Sequence, residues 1–144
     1  MREITEIVLH CTATPLGRDV HIDEVRRWHT QGNGWKDVGY HYLITLDGCL
    51  ELGRDLYTQG AHVKGHNATT VGVAYVGGLD ADGEPCDTMT CEQEETFEHL
   101  CFALQLVLAK PLHVSGHNDH TDNKACPGFR LSLIHISEPT RHRG

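Results

Sequence analysis

The chain has 144 residues, 39% hydrophobic and 22% charged, with a formal net charge of −8. That length holds one domain with a real core and leaves little room for two. The acidic balance argues against a nucleic-acid grip built on a net basic surface, and no apolar run approaches the roughly 20 residues that span a bilayer.

The opening segment MREITEIVLHC lacks the apolar core and small-residue cleavage site of an export signal. Synthesis in the cytoplasm is therefore expected. In that compartment Cys11, Cys49, Cys86, Cys91, Cys101 and Cys126 are expected to be free thiols rather than bridges. ITEIVLHCTAT is rich in β-branched residues and reads as a strand ending in a polar turn. Alternation places Ile7, Leu9 and Cys11 on one face and Glu6, Val8 and His10 on the other.

HIDEVRRWHTQGNG follows, with Ile22, Val25, Trp28 and His29 at helical spacing and glycines after it. VGYHYLITLDGCLELG reads as a hairpin, with a strand to about Thr45 and a turn at Asp47-Gly48. TTVGVAYVGG is a buried strand closed by a glycine pair, and DADGEPCD is turn-like. Thr90 with Gln93 fits a capping box. Phe97, Leu100, Cys101, Leu104 and Leu108 then recur as on an amphipathic helix. PLHVSGH is a last short strand that leads into the loop GHNDHTDNKACPGF. These elements predict one α/β domain with a central mixed β-sheet flanked by helices.

The final segment reads differently. Leu131 to Arg141, LSLIHISEPTR, matches the conceptual translation of a transposase sequencing adapter. The domain is accordingly expected to occupy residues 1–130, C-terminally truncated, with 131–144 not native. Without Glu138, Arg141 and Arg143, the rest holds 10 basic and 19 acidic residues, net −9.

Strand ends carry functional side chains well, because the sheet fixes their direction while the loop leaves them accessible. His10 lies near the end of the first strand and His117 at the end of the last, with Cys126 before a Pro-Gly turn. Two imidazoles and a thiolate supply three zinc ligands and leave a fourth position for water, as in a catalytic site. His120 competes with His117, and the strand-terminal position favours His117. Cys11 points to the opposite face and reads as a core thiol. Cys86 and Cys91 bracket a turn and make no convincing metal pair. Trp28 and Trp35 read as packing residues.

Four segments, VLHCTAT, WHTQGNGWKDVGYHYLITLDG, GAHVKGHNATTVGVAYVGG and GHNDHTDNKACPGF, resemble in order the motifs of phage-type zinc-dependent N-acetylmuramoyl-L-alanine amidases. That family is related to the peptidoglycan recognition proteins, and the resemblance spans nearly all of residues 4 to 130. It implies that His10, His117 and Cys126 hold one Zn2+, the same three residues chosen above from two strand ends and a thiol before a Pro-Gly turn. It further implies catalytic roles for Tyr40 and Lys124, and a substrate groove lined by His62, His66 and Asn67. The implied activity is hydrolysis of the amide between N-acetylmuramic acid and L-alanine in peptidoglycan, by a monomer acting on the bacterial wall after release. Two rivals accompany it: a peptidoglycan-binding module that does not cut, and a phage polymerase-regulating protein. In the recognition branch the cysteine ligand is commonly replaced, so Cys126 favours the enzyme.

Overall fold

The computed structural model describes residues 2–120. The expectations for Lys124, Cys126 and the 131–144 segment lie outside these residues. Five strands form the central sheet: β1 (Glu6–Cys11), β3 (Tyr42–Ile44), β4 (Leu50–Leu52), β5 (Thr70–Tyr75) and β7 (His113–Gly116), in the order β4-β3-β5-β1-β7. β1 runs parallel to both β5 and β7, β3 is parallel to β5, and only β4 is antiparallel. The sheet is therefore mixed, as the pattern of strands and helices predicts.

Its two faces carry two cores. On one face Ile7, Leu9 and Cys11 of β1 join Val71, Val73 and Tyr75 of β5 beneath α2 (Cys91–Leu108), which contributes Phe97, Leu100, Cys101 and Leu104. On the other, Leu43 and Ala74 pack with Val20, Val25 and Val38, closed by Ile22, Trp28 and Tyr40. His10 is paired with Ala74 in the β1–β5 register and so belongs to this second face. Cys11 sits on the α2 side, as alternation requires.

The capping box at the start of α2 is complete. Thr90 Oγ1 accepts the Gln93 N–H at 3.0 Å, and Gln93 Oε1 accepts the Thr90 N–H at 3.0 Å. Gln93 is fully buried because its amide has further work: Nε2 donates to the carbonyls of Thr45 at 3.1 Å and Val76 at 3.0 Å. One side chain thus caps the helix and ties it to the ends of β3 and β5. Among the described cysteines, Cys49, Cys86, Cys91 and Cys101 are free thiols.

Two features depart from the sequence expectation. The helix expected to run through His29 is α-helical only over α1 (Ile22–Arg27) and continues as one π turn, Trp28–Gly32. Thr30 Oγ1 donates to the Arg26 carbonyl at 2.8 Å, the acceptor that an α-helix gives to the Thr30 N–H, and such back-bonding loosens a helical ladder. A second, two-stranded parallel ribbon pairs β2 (Thr14–Pro15) with β6 (Gly78–Leu79). Strands of two residues carry no readable periodicity. Among the described residues, no helix is long and apolar enough to cross a membrane.

Candidate active site

The parallel pairing of β1 with β7 places Leu9 opposite Gly116, so the next residues, His10 and His117, emerge side by side at the same end of the sheet. Their Nδ1 atoms are 3.1 Å apart, and their rings meet at 62° with centroids 4.6 Å apart. His117 opens a single 3-10 turn, His117–Asp119, whose shape is held by the Gly116 N–H donating to Asp119 Oδ2 at 2.8 Å. Gly116 thus ends the strand one residue before the imidazole, and His117 projects from a fixed corner.

His10 is 1% exposed. Burial holds its imidazole well below the ordinary histidine range, and the neighbouring His62 and His117 add to the effect. Its ring therefore stays neutral and keeps a lone pair. Two nitrogens bound at 2.0–2.1 Å to one tetrahedral zinc stand about 3.3 Å apart. The 3.1 Å separation of the Nδ1 pair fits that demand. Among the described residues no third His, Cys, Asp or Glu completes a metal-holding group.

Around this pair the structure gathers several more rings. Tyr40, just before β3, lies with its ring 5.1 Å from that of His10 and 5.4 Å from that of His29. His62 contacts the far side of His10, with Nδ1 2.9 Å from His10 Nε2. Burial pushes His62 down to about 3. Asn67 turns inward: its Oδ1 accepts the N–H groups of both His62 and Val63 at 2.9 Å, which fixes the loop that carries them.

A groove of about 410 Å³ opens over this corner, lined by Trp35, Ala61, His62, Val63, Lys64, Gly65, Asn67 and His117. His62 and Asn67 of the expected groove residues belong to it. His66 is not among those lining residues; its ring lies tilted against that of His120 with centroids 4.4 Å apart. His120 turns away from the Nδ1 pair toward β1, where its Nε2 lies 2.8 Å from Glu6 Oε2 and 3.1 Å from Ser115 Oγ.

The chain matches the family model described as N-acetylmuramoyl-L-alanine amidase over residues 1–129. It belongs to that amidase family. An endolysin of Klebsiella phage KP32 is 42% identical over 130 residues, covering 90% of this chain and 84% of its own. Among solved structures, the Ph2119 endolysin of a Thermus scotoductus bacteriophage is 26% identical, with a TM-score of 0.76 over 93% of this chain and 84% of that one. Bumblebee PGRP-SA, 22% identical, shares the fold with a TM-score of 0.77 over 96% of this chain and 87% of that one.

Within this amidase-family site, sequence reasoning missed three participants. Trp35, read as packing, is 37% exposed and forms a groove wall, with its other side against His29 at a centroid distance of 4.8 Å. Lys64 lines the same groove and escapes notice as an ordinary exposed charge. Gly72 lies in the middle of buried β5, and that position was the available signal, because a glycine inside a strand marks close approach by something else.

Proposed function

We propose that the chain is an endolysin-type amidase that hydrolyses the bond between N-acetylmuramic acid and L-alanine in peptidoglycan, with one zinc held by His10, His117 and Cys126. The observation that carries the metal is the Nδ1 pair at 3.1 Å, between buried His10 near the end of β1 and His117 just after β7, at the edge of an open groove. The chemistry a bound zinc supplies there is water activation and polarisation of the scissile carbonyl.

The protein's own groups do the rest. The stem peptide lies in the groove beside Trp35 and Asn67, which holds its amide against the buried histidines. Tyr40, whose ring lies 5.1 Å from that of His10, supplies a phenol to orient the attacking water and hold its proton. Lys124 places a cation on the oxygen that becomes negative as the carbonyl is attacked. Cys126 acts as a thiolate ligand, and its charge makes these polar partners more necessary than three neutral imidazoles would. The enzyme works as a monomer on the wall after release from the cytoplasm, and contacts neither nucleic acid nor the membrane interior.

A digest of purified peptidoglycan tests this reading. New free amino groups on L-alanine without new reducing sugar ends are expected. Retention of peptidoglycan with no new amino groups would instead identify a binding module, and reducing ends would identify a glycosidase.

A further inference from the structure

Behind the Nδ1 pair runs a continuous line of hydrogen bonds whose direction can be read from its far end. Thr70 Oγ1 donates to the His66 carbonyl at 2.9 Å. That bond uses the only hydroxyl hydrogen, so toward His62 Nε2, 3.2 Å away, Thr70 can only accept. His62 Nε2 must therefore carry a proton. His62 is buried and neither of its ring partners, His10 and Thr70, is a carboxylate, so a neutral ring is required. A neutral imidazole protonated on Nε2 has a bare Nδ1. The 2.9 Å contact between that atom and His10 Nε2 then has one solution, in which His10 donates through Nε2. His10, also buried and neutral, is left with its lone pair on Nδ1, the atom that faces His117.

We propose that His62 is a positioning residue that fixes His10 in the Nε2-protonated tautomer, so that Nδ1 is ready to bind metal before any metal arrives. The inference rests on the zinc reading above for its purpose, and on hydrogen-bond direction and the burial of both rings for its content. The backbone carbonyl of His66 is the fixed end of the line, and Thr70 and His62 carry its direction inward. The fold reserves space for this ring. A Cβ added to Gly72 would stand 2.5 Å from His62 Cγ and 2.8 Å from its Nδ1, closer than atoms pack. Both ring nitrogens of His62 are committed inside the protein, so its role is exerted through His10 rather than on substrate.

Two measurements on the full chain test the proposal. In metal-free wild-type protein, nitrogen-15 NMR of the imidazoles should find His10 protonated on Nε2 and bare at Nδ1; a proton on Nδ1 would overturn the assignment. Chelator competition should then show zinc binding weakened about 10–100-fold in His62→Ala, the usual cost of removing an outer partner of a metal-bound histidine. His62→Asn places an amide oxygen near the former Nδ1 and should recover most of that loss. Wild-type affinity in a folded His62→Ala variant, or no recovery in a folded His62→Asn variant, refutes the positioning role. Should the wild-type protein take up no zinc, the metal reading fails, while the NMR result still decides the tautomer. If His62→Ala does not fold, that same spectrum of the wild-type protein remains decisive.

Discussion

Gly72 lies directly beneath the imidazole of His62, so close that any Cβ there would stand 2.5 Å from the ring. The contact explains why a strand that is buried along its whole length, β5, contains a residue with poor strand propensity. Gly72→Ala is expected to force His62 or the strand to shift, at a cost of about 1–3 kcal/mol, as for other overpacked core positions. Chemical denaturation measures the cost. Wild-type stability in that variant would mean that the ring moves aside freely.

His41 supplies a pH prediction. Its Nδ1 accepts the Gly72 N–H at 3.0 Å, so Nε2 carries the proton and donates to the Thr58 carbonyl at 2.7 Å. Protonation would set a second N–H against that of Gly72, and burial already lowers the group to about 4. The unfolded chain titrates near 6.5 and so binds more protons than the folded one between these values. Stability should be fully present above pH 6.5 and fall as pH drops toward 4, by up to about 1.4 kcal/mol per pH unit from this residue. NMR titration of the His41 ring checks the origin, since an ordinary midpoint near 6.5 would remove it from the account.

Tyr40→Phe and Lys124→Ala are each expected to keep zinc and fold while losing about 10²–10³ in turnover, because in the proposed mechanism both groups act on charge that develops during the reaction. The phenyl ring of Tyr40→Phe preserves the packing 5.1 Å from His10, so lost activity would report the hydroxyl. Near-normal turnover on peptidoglycan in either variant would strip that residue of its role.

The two cysteine variants should behave oppositely. Cys126→Ser is expected to lose zinc, since a neutral hydroxyl would replace the proposed thiolate ligand. Cys11→Ser should keep it, because Cys11 faces the α2 core while its neighbour His10 faces the groove side. Metal content by elemental analysis decides both; full occupancy in Cys126→Ser would remove that residue from the ligand set.

Legibility in the sequence followed locality. The face assignment along β1 and the Thr90–Gln93 capping box were readable because each depends on neighbours a few positions apart. The π turn was not, because a single threonine back-bond leaves no mark on the hydrophobic period. Likewise, nothing near His62 in sequence says that its ring meets His10, 52 positions away. Motif order pointed to the right segment, but only the three-dimensional contact with His10 shows the ring turned inward to another histidine.

The placement of β1 between β5 and β7 also has a consequence during translation. His10 and its partner His117 are separated by 107 positions, and β7 docks on β1, a strand made that much earlier. At ribosomal rates of 5–20 residues per second, about 5–20 s pass between the synthesis of the two imidazoles. Throughout that interval the nascent chain holds one histidine of the proposed metal pair without the other. In the proposed site Lys124 and Cys126 come later still, so a lytic activity built this way cannot emerge piecemeal on the ribosome; it must await both the docking of β7 on β1 and the residues that follow.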